Sequence, residues 1–438
     1  MSTPRQLGEF LKNKAGQIIN LYAAKGKLAS TCGSLLSSQA SLKSGYKVST
    51  PPVGLALSNL LRKGVVFPFS IKDSIEHFKK RHQLDQIQDD LLSTLPFYPN
   101  PSQTHSGEVV HTVVDDHTGC YINEFHIRPL KKILESERKH LVFIHGYGAG
   151  LGFFIKNMAD IAKQKPSWDI HGIDLPGYGC SSRPDFPHQL DYSNYEKIEK
   201  WFSEKLERWF DTRGLNHLNT VIVAHSMGAY LSCILNFTRP DLFQKLLLVS
   251  PAGIYHSAKD TVLSTAPGWF QKLWNHNISP FSLVRNAGPL GSKLVSAWTS
   301  RRFSKDNSLL GPWEQKMMHL YTYAIFNAKG SGEYMLNYFL APGGVPRHPL
   351  LNRIKKLKCD TVWMYGSHDW MDKVGGFKAC QQLKKLHHYN GEPLLATCHI
   401  IEHSGHHIYL DNFKEFNELV VQELMAFEKK TAAASLTA

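Results

Sequence analysis

The stretch Thr220-Val-Ile-Val-Ala-His-Ser-Met-Gly-Ala-Tyr230 decides the fold. Val221 to Ala224 form a short apolar, β-branched run that reads as a buried strand. Ser226 follows, with Ala224 and Gly228 two residues to either side, and Tyr230-Leu-Ser-Cys-Ile-Leu235 then carries apolar residues on a helical period. Strand, tight turn with serine at its tip, helix: this is a nucleophile elbow. Small flanking residues are required because strand and helix backbones nearly touch there. The usual pattern has Gly where this chain has Ala224, a departure of one methyl group.

On both sides of the elbow, strand and helix patterns alternate. Val109–Val114 and Tyr121–His126 alternate as an antiparallel pair about Asp115-Asp-His-Thr-Gly119. His140–Ile144 is a strand ending in His145-Gly-Tyr-Gly-Ala-Gly150, and Trp168–Ile173 ends in Asp174-Leu-Pro-Gly-Tyr-Gly179. A helical stretch from Tyr192 to Arg213 precedes the elbow strand, and Lys245–Val249 follows it. The alternation resumes with Asp360–Tyr365 and Ala396–Ile401, and a final amphipathic helix covers roughly 412–428. This order predicts an α/β fold, a mostly parallel sheet with helices on both faces. The core is expected over 101–253 and 353–430. Residues 254–352 break the alternation with Trp269, Trp274, Trp298 and Trp313 and with basic residues such as Arg285, Lys293, Arg301 and Arg302; they read as a helical cap. Residues 73–100 read as one polar helix, over 73–95, and a proline-punctuated linker.

The chain has 438 residues, 42% of them hydrophobic and 20% charged, so a large core is feasible. Its formal charge of +13 needs a use or a location. No aromatic–basic repeat or nucleic-acid motif accompanies it, which leaves an anionic membrane surface, touched peripherally, and a targeting segment. Residues 1–72 hold one acidic residue, Glu9, and Leu7, Phe10, Leu11, Ala15, Ile18, Ile19 and Tyr22 share one side of a helical wheel. The segment reads as a mitochondrial presequence and linker. The alternatives are a surface helix with a Ser-rich linker, or a basic helix lying on a membrane. The seven cysteines are scattered without a CxxC pair and read as reduced thiols.

A serine hydroxyl needs a base, and the base a group that orients it. On this fold the chain order is serine, acid, histidine, each in a loop after a strand. The strand ending at Tyr365 runs into Gly366-Ser-His-Asp369, and the one ending near Ile401 into Glu402-His-Ser-Gly-His406-His407. Ser226 is read as nucleophile, Asp369 as orienting acid and His406 as base; Asp372 and His407 remain alternatives for the last two. Backbone N–H groups of Met227 and Tyr147 are the expected oxyanion donors. No metal is expected at His403, His406 and His407, where no second ligand group is evident, and no cofactor is called for. His406 also opens a His-x-x-x-x-Asp pattern ending at Asp411, which reads either as an acyltransferase-type dyad or as helix capping by Asp411 or Asn412, with Glu415 completing a capping box from Asn412.

With these residues the chain resembles the α/β-hydrolase superfamily. Four stretches, His145–Phe154, Asp174–Pro184, Tyr365–Asp372 and Gly405–Asp411, are similar to the subfamily of the lipid-droplet lipase coactivator and the fungal mitochondrial cardiolipin-specific deacylase. The resemblance implies an eight-stranded sheet and a phospholipid substrate from which an acyl chain is removed. It differs from the coactivator in keeping the serine. With the presequence-like start, it makes cardiolipin at the mitochondrial inner membrane the expected substrate. A coenzyme-A-dependent acyltransferase for lysophospholipids through His406 and Asp411, and a non-catalytic lipid-surface scaffold, are the competing readings. Epoxide hydrolases and dehalogenases are disfavoured because they carry Asp at the elbow.

Overall fold

The structure, a computed structural model, describes residues 70–187, 191–255, 274, 276–303, 310–341, 344–388 and 391–437. The expected amphipathic helix near the N-terminus, nearly all of the 1–72 segment, and Trp269 lie outside these residues.

Eight strands form one sheet: β1 (His105–Asp115), β2 (Cys120–Pro129), β3 (Lys139–Ile144), β4 (Trp168–Ile173), β5 (Thr220–His225), β6 (Lys245–Val249) and two later strands, Asp360–Gly366 and Ala396–Ile401. Along the sheet the order is β1, β2, β4, β3, β5, β6, Asp360–Gly366, Ala396–Ile401. β1 and β2 pair antiparallel, as do β2 and β4, while every later pair is parallel. The expected hairpin is present, with both strands longer than the alternation marked.

Alternate residues of each central strand face opposite layers, so near-continuous apolar runs are needed. Val142, Ile144, Ile222, Ala224, Leu246 and Leu248 face one layer with Phe202, Leu206 and Trp209 of the helix Tyr195–Thr212 and Leu231 and Leu235 of the helix Met227–Thr238. Leu141, Phe143, Val221, Val223, Leu247 and Val249 face the other, with Met158 and Ile161 of the helix Ile155–Gln164 and Phe416, Val420 and Leu424 of the last helix. The ranges are α1 (Ile71–Lys80), α2 (Leu84–Leu92), α3 (Ile155–Gln164), α4 (Tyr195–Thr212) and α5 (Met227–Thr238).

Between β6 and the Asp360 strand the chain leaves the sheet. There α6 (Phe281–Asn286), α7 (Gly291–Phe303) and α8 (Pro312–Asn327) form a helical cap, joined by a small two-stranded ribbon, β7 (Leu340–Ala341) and β8 (Val345–Pro346). The ribbon is a correction to an all-helical cap. The single helix expected over 73–95 is two, because its halves pack on different neighbours: α1 against α7 and the turn before it, α2 against α8. A polar chain joins α1 to the cap, running from His77 Nδ1 to Ser292 Oγ (2.9 Å), on to His319 Nε2 (3.0 Å), with Thr299 Oγ1 on His319 Nδ1 (2.7 Å). Two further helices complete the core, α9 (Lys373–Leu383) and α10 (Phe413–Thr437), around the strands β9 (Asp360–Gly366) and β10 (Ala396–Ile401).

Glu124, His126 and His171 lie with one ligand atom each inside 4.8 Å, a spacing that suits a metal ion. The Arg213 guanidinium stands among them, 3.2 Å from Glu124 Oε1 and 3.1 Å from His126 Nδ1. It supplies the positive charge an ion would bring, so the cluster is an ion-pair network, extended by His126 to Asp169 (2.8 Å) and His171 to His140 (3.0 Å). Burial pushes His140 down to about 4 against the partial opposition of Asp169, and pushes His171 well below its ordinary value. The unfolded chain therefore binds protons that the folded one refuses, and stability falls as pH drops from about 6.5 toward 4. His140 alone contributes a loss of about 3 kcal/mol across that window. Thermal unfolding between pH 7 and pH 4.5 checks this: the midpoint should fall steeply in the native protein and less steeply in His140→Gln.

Candidate active site

The C-terminal ends of β5, β6, β9 and β10 lie in register, so the loops that follow them converge, as ligand sites on open α/β sheets do. Ser226 is at the first loop, with φ 52° and ψ −113°. A non-glycine residue with positive φ is strained and persists only where the surroundings hold it. Here the Ser226 N–H donates to Val249 O (2.9 Å) and its carbonyl accepts from Ala252 N–H (3.2 Å). A Cβ on Gly228 would lie 2.4 Å from His145 O, and one on Gly146 would lie 2.8 Å from His225 Nδ1 and 2.9 Å from Ser226 Cβ. These two glycines carry the close approach. Ala224 does not: its methyl is buried in the α4–α5 layer.

His406 Nε2 is 3.0 Å from Ser226 Oγ and His406 Nδ1 is 3.1 Å from Asp369 Oδ1. The Asp369 and His406 loops touch where Gly366 has no side chain, since a Cβ there would meet Gly405 O at 2.4 Å. His368 N–H donates across the seam to Ser404 O (2.9 Å). Burial alone would raise the Asp369 carboxyl, but the His406 imidazole, with the Ser250 hydroxyl and Met371 N–H, holds it below the usual range. Ser250 Oγ and Asp369 Oδ2 nevertheless close no hydrogen bond in this geometry. The hydroxyl thus acts here as a nearby dipole.

The alternatives are placed elsewhere. Asp372 Oδ1 accepts from Val374 N–H (2.9 Å) as the N-cap of α9. His407 Nδ1 faces the Arg302 guanidinium. Asp411 makes no dyad with His406, whose two ring nitrogens are taken by Ser226 and Asp369. Its carboxylate instead accepts from Arg302 Nη1 (3.0 Å) and from Gly405 N–H (3.0 Å), tying the cap helix α7 to the loop that carries His406. Asp411 is therefore not the cap of α10. Asn412 precedes α10, and its amide donates to Glu415 Oε2 (2.7 Å), a link between side chains and not the reciprocal backbone exchange of a capping box.

Breaking the Arg302–Asp411 pair should be costly, because removal of one partner strands a buried charge. Asp411→Asn is expected to cost about 3 kcal/mol and to lower kcat on a soluble ester by about tenfold or more through loosened His406. The double change Arg302→Met with Asp411→Leu should unfold at a higher temperature than either single change, read by calorimetry. A dyad in which Asp411 acts on substrate would instead give lost transfer at unchanged stability.

Tyr147 and Met227 line the cavity beside Ser226. Met227 N–H is the first of α5, so it has no acceptor within the helix, and the helix N-terminus favours negative charge there. Both residues expected to supply the oxyanion donors thus line the same cavity as Ser226. The cavity, about 570 Å³, lies under the cap; Ser226 and His406 share its wall with Trp274, Phe281, Trp298, Phe326 and Trp370, and Arg302 is its cationic member. That volume falls in the usual range for small-molecule sites.

Two contributors escape the sequence reading. His225 donates from Nε2 to His406 O (3.0 Å) and, pushed well below its ordinary value by burial, stays neutral while it holds the base's backbone. Its only signal is its place beside Ser226. Trp370 leans on His406 with ring centroids 5.0 Å apart.

A family model for the α/β-hydrolase fold matches residues 139–413, from β3 through the His406 loop. The chain belongs to the α/β-hydrolase fold family. Several of its curated relatives act on lipids by name. The rice (Oryza sativa subsp. japonica) "Probable 1-acylglycerol-3-phosphate O-acyltransferase" is 32% identical over 67% of this chain and 69% of its own length. The human (Lyso)-N-acylphosphatidylethanolamine lipase is 28% identical over 65% of this chain and 79% of its own. The human 1-acylglycerol-3-phosphate O-acyltransferase ABHD5 is 29% identical over 65% and 77%. Among solved structures, carboxylesterase CesB from Bacillus subtilis covers 80% of this α/β hydrolase and 98% of its own chain at a TM-score of 0.51, with 14% identity, a likeness of fold alone. The chain thus belongs to the α/β-hydrolase fold family and has both lipase and acyltransferase relatives.

Proposed function

We propose that this α/β hydrolase is a serine deacylase of membrane phospholipids, with cardiolipin its preferred substrate. The observation that carries the reading is the line Ser226 Oγ, His406, Asp369 at the wall of an aromatic cavity. Ser226 Oγ attacks the ester carbonyl while His406 Nε2 takes its proton. The N–H groups of Met227 and Tyr147 hold the tetrahedral oxyanion, the role that preorganised donors fill in acyl transfer. Asp369 stays ionised opposite Nδ1 and supports the imidazolium. The proton then passes to the departing lysolipid alkoxide, and the acyl chain remains on Ser226 as an ester. Water, deprotonated by His406, releases it as a fatty acid.

The names of the rice relative and of human ABHD5 favour a second reading, transfer to a lysophospholipid. The same acyl-Ser226 serves both, since a lysolipid hydroxyl in place of water gives transfer. The basic, acid-poor residues 1–72 support a mitochondrial, inner-membrane-associated location, where cardiolipin is the anionic lipid to hand. Purified protein with vesicles of cardiolipin or of phosphatidylcholine, followed by mass spectrometry of fatty acid and lysolipid, tests the substrate. Release should be at least several-fold faster from cardiolipin; equal release from both would remove the preference, and no release from either would remove the deacylase.

A further inference from the structure

The site has an exposed apolar apron, and α9 makes most of it. One side of α9 is buried through Gly375, Gly376, Ala379, Cys380 and Leu383. The other exposes Val374, Phe377 and Gln381 down a single helical stripe, which Lys384 and Lys385, exposed in the turn after the helix, continue. The stripe is apolar at the N-terminal end and basic at the C-terminal end. Val374 is 48% exposed and Phe377 46%, while Trp370, just before the helix, is 49% exposed and also lines the cavity. Trp370 is held between the His406 ring and the β7–β8 turn, where a Cβ on Gly344 would come within 2.8 Å of its indole. Exposed apolar side chains at Val374 and Phe377 thus follow Trp370 closely in the chain, and Trp370 itself lines the cavity that holds Ser226.

Charge selects what covers this face. From Lys373 to Gly391 the sequence has four lysines and no acidic residue. Lys373 and Lys378 are engaged by Ser367 O and the Tyr255 hydroxyl, which leaves Lys384 and Lys385 at the basic end of the stripe. Apolar side chains bordering a cavity mouth, with lysines behind them and a single carboxylate between, Asp372, turned to the Val374 N–H as the cap of α9, match an anionic lipid surface: the apolar part enters the acyl boundary and the lysines meet phosphates.

We propose that Trp370, together with Val374 and Phe377 of α9 and Lys384 and Lys385 just after it, forms the surface by which the protein docks on an anionic phospholipid bilayer, with the cavity mouth at its edge. The proposal rests on the phospholipid reading of the cavity for its purpose, though its test is separate from that reading. Phosphatidylcholine vesicles with and without 30% (on the order of) anionic lipid serve as probes, with co-sedimentation and turnover of a short-chain, monomeric ester measured on the same samples. Val374→Ser with Phe377→Ser should lower affinity for anionic vesicles by about tenfold or more. Lys384→Gln with Lys385→Gln should lower it by about fivefold per lysine, only when anionic lipid is present and less so at high salt. Turnover of the monomeric ester should stay at the native level in both, which shows that the fold and Ser226 are intact. Native vesicle affinity in both variants, or a changed oligomeric state in place of changed vesicle binding, would overturn the proposal. Vesicle binding by the native protein without phospholipid hydrolysis would count against the deacylase reading and leave the docking face standing.

Discussion

Ser226→Ala is expected to reduce ester hydrolysis by on the order of 10⁴-fold or more, with KM nearly unchanged. The loss is large because, among the described residues, Ser226 is the nucleophile that His406 meets. His406 Nε2 is aimed at Ser226 Oγ, 3.0 Å away, and His407 is turned to Arg302. A residual rate from the oxyanion donors and cavity binding should remain. Stability should hardly move, since only one hydroxyl is removed and the positive φ of residue 226 is kept by the backbone bonds to Val249 and Ala252. Burst kinetics with a chromogenic ester, alongside calorimetry, separate the two quantities. If transfer to lysophospholipid proceeds through acyl-Ser226, it should be lost in parallel with hydrolysis; a dyad of His406 and Asp411 would keep it.

The second large effect belongs to Asp369. Asp369→Asn should lower kcat by about 10³–10⁴-fold. The amide can donate to His406 Nδ1, which places the proton on Nε2 and turns that nitrogen away from its role as base. The carboxylate also faces the imidazolium that forms during attack, and its burial makes the loss of that charge severe. Asp372→Asn provides the contrast. Asp372 caps α9 and lies off the relay, so its replacement by Asn, itself a good cap, should leave kcat within about twofold and stability within about 1 kcal/mol. A pH–rate profile for both variants decides between the carboxylates: only the residue that orients His406 should change the limiting rate at high pH.

The sequence made the elbow legible because its physics is local. A buried β-branched run, a serine and a glycine two residues on leave few other conformations. Asp369 and His406 were legible through order, each falling in a loop after a strand, and the parallel register then brings those loops together. What was not legible depends on contacts between distant parts of the chain. Arg302 meets Asp411 across 109 residues, so the His-x-x-x-x-Asp pattern could not reveal that its aspartate serves the cap. The break between α1 and α2 arises from two different packing partners, with no proline or glycine to mark it. The departure at Ala224 looked like a cost in sequence; in the structure the steric burden falls on Gly146 and Gly228.

The central claim is that fatty acid leaves phospholipid by way of an ester on Ser226. The direct measurement is to quench a reaction with cardiolipin vesicles in acid within the first turnovers, digest the protein, and map acyl adducts by mass spectrometry. A fatty acyl group is expected on Ser226, transient in the native protein, accumulated in a variant slowed at deacylation, and absent from Ser226→Ala. An acyl group on another residue, or undiminished fatty-acid release by Ser226→Ala, would contradict it.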